Sequence, residues 1–172
     1  MKIYIVLTKT NTILSRMISI IKNDEYTHEY THASISLDKN LNNMYSFGRK
    51  NCYNPFVGIE VNVTSEQYSS VEKLLNNFIL NSSPYKYNYY GLIDSLLNRE
   101  SIYNDRFLCS EFVYYVLNKS KIADFNKPRN LVRPQDLLKL NSNILFEGNL
   151  KNSKWCKQNS GKIEVFPKYQ GI

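Results

Sequence analysis

Cys109 is the residue of this sequence whose type and position best suit nucleophilic chemistry. It lies in the segment Phe107–Val113, which we predict to begin a helix. The amides of a first helical turn stabilise a thiolate, and Arg106 would act in the same direction. The same amides can hold an oxyanion. We therefore treat Cys109 as a candidate nucleophile with a lowered thiol pKa. The alternative is a small buried cysteine on a core-facing side of the helix.

A cysteine nucleophile needs a base, and the chain has two histidines, His28 and His32. His28 falls in a polar segment that we predict to be a loop. His32 shares a predicted strand face with Ser34 and Ser36, whose small side chains leave room for the Cys109 helix to lie across that face. His32 is therefore the candidate base, the alternative being a core histidine held by a hydrogen bond. The two histidines lack further ligands at a fitting spacing, so we expect no metal and no cofactor.

The elements that must position these residues follow from hydrophobic periodicity. Period-two alternation predicts strands at Lys2–Thr8, Thr31–Asp38, Met44–Gly48 and Gly58–Val63, with late strands at Ile144–Phe146 and Lys162–Phe166. Helical spacing predicts helices at about 12–22, from a capping box at Thr64–Gln67 to about 80, in the second half of Tyr85–Leu97, at Phe107–Leu117 and at Pro134–Leu140. Strands and helices do not alternate regularly, so we predict an α+β architecture.

Length and composition fit one globular domain. Of the 172 residues, 42% are apolar and 22% are charged, and no apolar run approaches the roughly 20 residues of a membrane-spanning helix. The scattered residues Cys52, Cys109 and Cys156 argue against a disulfide framework. No signal-peptide pattern is visible, so we expect a cytoplasmic location. We assign 1–172 to one domain with a lysine-rich C-terminal extension at about 149–172.

The positive net charge raises the question of a nucleic-acid or membrane-surface partner. The chain has 22 Lys and Arg against 15 Asp and Glu, for a net charge of +7. The basic residues are spread along the chain, apart from five lysines after Gly148. A solvated lysine-rich tail accounts for that asymmetry, so we expect a small-molecule, peptide or lipid substrate and no nucleic acid. The oligomeric state does not follow from the sequence.

Two motifs, in this order, resemble those of the circularly permuted NlpC-type papain-like cysteine hydrolases, whose relatives include lecithin–retinol acyltransferase-like enzymes. The first is YTHASI at Tyr30–Ile35, followed by an aromatic hairpin strand, and the second is FLCSEFV at Phe107–Val113. Supporting segments are YNYYG at Tyr87–Gly91 and RPQDL at Arg133–Leu137. The resemblance covers about Ile3–Leu138. It implies a permuted papain-like fold in which an antiparallel sheet packs against the cysteine-bearing helix.

The resemblance also implies a catalytic site. The family's nucleophile falls on Cys109, its base on His32 and its third polar residue on Ser46, where many relatives carry Glu, His, Asn or Gln. A hydroxyl can orient an imidazole but cannot stabilise an imidazolium as a carboxylate would. A turn centred on Asn40 places Ser46 on the His32 face, whereas a shift by one residue places Tyr45 there. The orienting group therefore depends on the register.

The remaining expectations concern the substrate. Tyr45, Tyr87 and Asn88 are the expected substrate-binding residues. The implied function is that of a cysteine peptidase or amidase, or an acyltransferase, that acts on an amide, ester or thioester through an acyl-enzyme. Peptides derived from cell walls, lipid acyl groups and other small amides are the substrate classes it implies. The alternative, favoured by Ser46 and by the 14 tyrosines, is a catalytically silent module that binds a small ligand on the same fold.

Overall fold

The structure is a computed structural model that describes residues 1–9, 30–47, 56–148 and 162–166. Its strands are β1 (Lys2–Thr8), β2 (His32–Ser36), β3 (Asn43–Phe47), β4 (Phe56–Asn62), β5 (Lys86–Tyr87), β6 (Arg106–Phe107), β7 (Ser142–Gly148) and β8 (Lys162–Phe166). The α-helices are α1 (Ser65–Leu80), α2 (Tyr89–Leu96) and α3 (Cys109–Lys119), and two 3-10 helices span Arg129–Leu131 and Pro134–Lys139. None of the helices in these ranges is long and apolar enough to cross a membrane.

A six-stranded sheet organises the described part of the chain, in the order β7-β4-β1-β2-β3-β8. Neighbouring strands run antiparallel except β3 and β8, which are parallel. The predicted α+β class and antiparallel sheet are therefore confirmed. The predicted helix at about 12–22, His28, Cys52 and Cys156 lie outside the described residues, as does most of the lysine-rich extension.

The β2–β3 hairpin decides which residues share a face. Ile35 pairs with Tyr45, so Ser46 stands opposite Ser34 and lies on the same face as His32. This is the register of a turn centred on Asn40. Tyr45 instead lies on the face of Ile35, because side chains alternate along a strand.

The turn itself is built around one carboxylate. Asp38 accepts hydrogen bonds from the backbone amides of Asn40, at 2.9 Å, and Asn42, at 3.1 Å. Between them Leu41 adopts a left-handed conformation, with φ at 55°, and buries its side chain. These local bonds hold the loop length that sets the hairpin register.

The main core lies between one face of the sheet and helices α1 and α3. Helix α3 contributes Phe112, Val113 and Val116, which pack in one cluster with Ala33 and Ile35 of β2. The expectation that the Cys109 helix lies across the His32 face is therefore wrong. The apolar side of the helix is buried against the aliphatic face of β2, since packing it on the serine face would bury less apolar surface.

Helix α1 begins and ends as its sequence pattern predicts. The Thr64 hydroxyl accepts a hydrogen bond from the Gln67 amide at 3.2 Å, and the Gln67 side chain accepts one from the Thr64 amide at 2.9 Å. This confirms the predicted capping box. The buried stripe of Val71, Leu75 and Phe78 then faces the core.

Helix α3 begins two residues later than predicted. Arg106 and Phe107 pair with Lys86 and Tyr87 as a short parallel ladder instead of extending the helix. Cys109 therefore becomes the first helical residue. The start of the helix is thereby tied to the segment that precedes α2.

Candidate functional site

Cys109 lies against the start of β2, where the strand begins at His32. The residue is 7% exposed, and its Sγ lies 3.9 Å from the carbonyl oxygen of Thr31. The backbone of Ala33 hydrogen bonds to the same sulfur. The sulfur thus contacts the backbone of the residues immediately before and after His32.

Burial determines the protonation state of this thiol. Desolvation raises the pKa of Cys109, although backbone hydrogen bonds from Ala33, Ser110 and Cys109 itself lower it. The expected lowering of the thiol pKa is therefore wrong. The helix amides act in the expected direction, but the desolvation of a buried thiolate outweighs them. Arg106 lies 3.9 Å from Asp105, and it is not among the groups that shift the thiol pKa.

His32 is oriented by Ser46. The ring Nε2 lies 2.8 Å from Ser46 Oγ, and the same hydroxyl lies 2.9 Å from the carbonyl oxygen of Ala33. A carbonyl can only accept, so the tautomer with the proton on Nε2 satisfies both contacts: Nε2–H donates to the Ser46 hydroxyl, and the hydroxyl donates to Ala33. That tautomer leaves Nδ1 unprotonated, as a general base requires. Burial lowers the pKa of His32 to about 4, so the imidazole is neutral at neutral pH.

The thiol and the imidazole do not hydrogen bond to each other within the described residues. The thiol contacts the Thr31 carbonyl, and the imidazole contacts Ser46. Both groups nevertheless adjoin Ala33, because the sulfur lies at its backbone and the Ser46 hydroxyl lies at its carbonyl. The two groups are therefore neighbours of one residue of β2.

Cys109 lines a cavity of about 70 Å³, several times the roughly 10–15 Å³ that one water needs. Five apolar residues contribute to its wall: Leu92, Leu96, Leu108, Val132 and Pro134. Thr31, Ser95 and Ser110 add hydroxyl-bearing residues, and Tyr87 and Arg133 complete the described lining. His32 is not among the described lining residues.

Tyr87, an expected substrate-binding residue, lies beside Cys109 in this cavity. Burial raises the pKa of the Tyr87 phenol, and the neighbouring Cys109 sulfur raises it further. The phenol therefore stays protonated at neutral pH and can act as a hydrogen-bond donor. Its ring packs against Tyr89, with 4.9 Å between the ring centroids.

Tyr45 and Asn88 lie elsewhere in the fold. Tyr45 is half-buried and packs against the main core. Asn88 is fully buried and caps helix α2. Its Oδ1 accepts from the Gly91 amide at 2.8 Å, and its Nδ2 donates to Glu111 at 3.2 Å. A Cβ at Gly91 would come within 2.0 Å of Asn88 Nδ2, so this cap requires glycine. Neither Tyr45 nor Asn88 is among the described lining residues.

Glu111 is a buried residue that sequence reasoning missed. Its carboxylate accepts from the Leu108 amide at 3.0 Å, from Asn88 at 3.2 Å and from Arg129 Nε at 2.8 Å. Burial raises the pKa of Glu111, and these hydrogen bonds and Arg129 oppose that rise. The carboxylate joins the start of α3 to α2 and to a 3-10 helix. The available signal was its place three residues after the N-cap, which is the capping-box spacing.

Within the described ranges no group of three or more His, Cys, Asp and Glu side chains is arranged to hold a metal ion. The chain matches no protein-family model, no curated protein and no solved structure. The function is therefore inferred from the chemistry of the cavity and of the residues around it.

Proposed function

We propose that this protein is a cysteine-dependent hydrolase or acyltransferase of the permuted papain-like type, with Cys109 as nucleophile and His32 as general base. One observation carries the proposal. The Cys109 sulfur lies at a helix start, in a cavity wall, against the backbone on both sides of His32. Ser46 Oγ in turn lies 2.8 Å from His32 Nε2, where it can hold the imidazole in the tautomer that a base needs.

The reaction begins from a neutral pair, because burial raises the thiol pKa and lowers that of the imidazole. Helix α3 packs on the other face of β2, so the imidazole of His32, the first residue of that strand, must reach the sulfur around the strand end. In the proposed first step His32 Nδ1 takes the Cys109 proton as Sγ forms a bond to the substrate carbonyl carbon. The bond from that carbon to the leaving nitrogen, oxygen or sulfur breaks, and His32 returns the proton to the leaving group. Water or an acceptor amine then attacks the thioester carbonyl carbon and gives a proton to His32. The carbon–sulfur bond breaks, and His32 returns the proton to Cys109 Sγ.

Two kinds of donor are available for the developing oxyanion. The first-turn amides of α3, including that of Cys109, are already directed towards the sulfur. The Tyr87 phenol lines the same cavity and is protonated at neutral pH. Donors held in place before reaction stabilise the negative charge of the tetrahedral intermediate without reorganisation.

The dimensions of the cavity limit what enters it. A space of about 70 Å³ admits a small acyl or amide group, and the rest of a substrate must extend outside. Leu92, Ser95 and Leu96 of helix α2 line the cavity, and the same helix exposes Tyr89, Tyr90 and Ile93. Small amides, short peptides and acyl lipids are the proposed substrate classes.

A catalytically silent ligand-binding module is the second candidate. It is favoured by the raised pKa of Cys109 and by the absence of a thiol–imidazole hydrogen bond among the described residues. A serine also replaces the carboxylate or amide that would orient His32 more strongly. In such a module the cavity binds a ligand without reaction.

Acylation by p-nitrophenyl acetate distinguishes the two candidates. We expect a burst of one nitrophenolate per protein and an acetyl group on Cys109, located by peptide mass spectrometry. Cys109→Ala should abolish the burst, and His32→Ala should slow it by about 100-fold, the lower end of a general base's contribution. Ser46→Ala should slow it by about tenfold through loss of one hydrogen bond to the ring.

Ser34→Ala is the matched control, because Ser34 is a buried serine opposite Ser46 on the neighbouring strand. This variant should react at the wild-type rate. Equal acetylation rates in wild type and His32→Ala would rule out the proposed base. Slow, similar acetylation of all three cysteines would favour the silent module.

A further inference from the structure

The charge of Arg133 is not balanced by any described carboxylate. Arg133 lines the same cavity as Cys109 and is half-buried, yet it forms no ion pair with another described residue. Its own backbone amide donates to Asp136 at 2.8 Å. The Asp136 carboxylate is already paired with Lys127 and with Lys139. The acidic residue closest in sequence is therefore engaged by two other cations.

Two nearby arginines, Arg106 and Arg129, differ from Arg133 because each has a carboxylate within ion-pair distance. Arg129 pairs with the buried Glu111 at 2.8 Å, and Arg106 lies 3.9 Å from Asp105. A partly buried cation without a partner has lost hydration without gaining an opposite charge. An anion that enters the cavity would supply that charge, and an arginine pairs with a carboxylate through two parallel hydrogen bonds.

The single arginine and the apolar lining of the cavity favour a carboxylate over a phosphate. The space of about 70 Å³ has a largely apolar wall and one arginine. A carboxylate brings one negative charge, which one guanidinium neutralises. A phosphate monoester brings about −1.5 to −2 charges, so part of its charge would stay unpaired beside leucine and valine side chains. That excess is unfavourable in an apolar site.

We propose that Arg133 is the residue that determines substrate specificity in the Cys109 cavity, and that it binds a free carboxylate on the group that enters. The substrate class is therefore an acyl compound that carries an acid close to the bond that is cleaved. The reaction at Cys109 rests on the function proposed above, whereas carboxylate binding by Arg133 can be measured without turnover.

Two alkylating reagents that differ only in charge test this inference on the full chain. Iodoacetate carries a carboxylate, and iodoacetamide carries a neutral amide. With either reagent the Cys109 sulfur forms a bond to the methylene carbon, the carbon–iodine bond breaks, iodide leaves and the thiol proton passes to the solvent. The readout is the ratio of the iodoacetate rate to the iodoacetamide rate at Cys109, measured by peptide mass spectrometry.

We expect this ratio to be about tenfold higher in wild type than in Arg133→Gln, the factor for one charge-assisted hydrogen bond. Arg133→Lys should retain part of the preference, because it keeps the charge without the planar fork. Arg99→Gln is the matched control. Arg99 is exposed and outside the described lining, so this variant loses the same charge and should keep the wild-type ratio.

An equal ratio in wild type and Arg133→Gln, within twofold, would overturn the inference. If neither reagent reaches Cys109, thermal unfolding with added acetate, a monocarboxylate, decides. A melting temperature raised in wild type but not in Arg133→Gln supports the inference, and equal shifts overturn it. Stabilisation by inorganic phosphate instead of acetate would contradict the carboxylate. An Arg133-dependent ratio without an acyl-enzyme would leave the anion site standing and remove the proposed reaction.

Discussion

At the scale of single residues, burial outweighs local electrostatics around Cys109. The helix amides lower the thiol pKa, yet desolvation gives a net increase. Burial also shifts the pKa of His32, but downwards, because it disfavours the charged form of either group. The pair is therefore neutral before substrate binds. The proposed reaction at Cys109 therefore uses proton transfer to His32 during attack and not a preformed thiolate.

The loss of stability below neutral pH tests whether burial lowers the pKa of His32. His32 has a pKa of about 4 in the folded protein, whereas an unfolded histidine titrates near 6.5. Between these values the unfolded chain binds a proton that the folded chain does not, so stability falls as pH falls from about 6.5 to about 4. Urea unfolding of wild type at about pH 7 and about pH 5 should show this loss.

His32→Gln should show a smaller decrease over the same interval, because it removes the titrating group. Ser34→Ala keeps the imidazole and should behave as wild type does. A decrease of the same size in wild type and His32→Gln would mean that other groups cause it and that the His32 pKa is not lowered.

At the scale of elements, two short contacts place the start of α3. The β5–β6 ladder pairs Tyr87 with Phe107, two residues before Cys109, and so brings the phenol to the thiol. The Glu111 carboxylate then joins the Leu108 amide to Asn88 at the start of α2. The cavity therefore depends on contacts between elements that are distant in sequence.

Removal of the Glu111 carboxylate should destabilise this junction. Glu111→Ala leaves Arg129 and the amides of Leu108 and Asn88 without their partner in a buried site. Loss of one member of a buried ion pair costs about 3–5 kcal/mol, and urea unfolding measures the loss.

The exposed Glu72 on α1 provides the matched control for Glu111→Ala. Glu72→Ala should change the free energy of unfolding by less than about 0.5 kcal/mol. Similar free energies of unfolding for the two variants would show that the buried network contributes little to stability.

At the scale of the whole molecule, an aromatic cluster joins the sheet to its helices. Phe47 of β3 lies with its ring centroid 6.1 Å from Phe78 of α1, 5.2 Å from Phe107 of β6 and 5.1 Å from Phe112 of α3. All four side chains are at most 2% exposed. Phe47 follows Ser46, so the same strand end supports both the core and the histidine.

Phe47→Ala should lower the free energy of unfolding by about 3–5 kcal/mol, because it removes a buried ring and leaves a cavity between the layers. Chemical unfolding monitored by circular dichroism gives the value. Leu80→Ala is the comparison, since Leu80 is 82% exposed at the end of α1, and its loss should be below about 0.5 kcal/mol. Equal losses would contradict the layered core.

The sequence by itself determined the strands of the β1–β4 region, the capping box of α1 and the α+β class. These features depend on period-two alternation and on hydrogen bonds between residues three positions apart, which are local in the chain. The late strand β8, at Lys162–Phe166, was also predicted from its short apolar alternation. The sequence also predicted Cys109 and Tyr87 as site residues, and it offered the hairpin register that places Ser46 beside His32 as one of two alternatives.

The tertiary structure decided the face on which α3 packs, the choice of Ser46 over Tyr45 beside His32, and the raised pKa of Cys109. It also decided the structural role of Asn88 and the unpaired state of Arg133 among the described residues. Each of these depends on burial or on contacts between distant segments. Local periodicity cannot report them, because desolvation and charge pairing are set by neighbours that only the folded chain brings together.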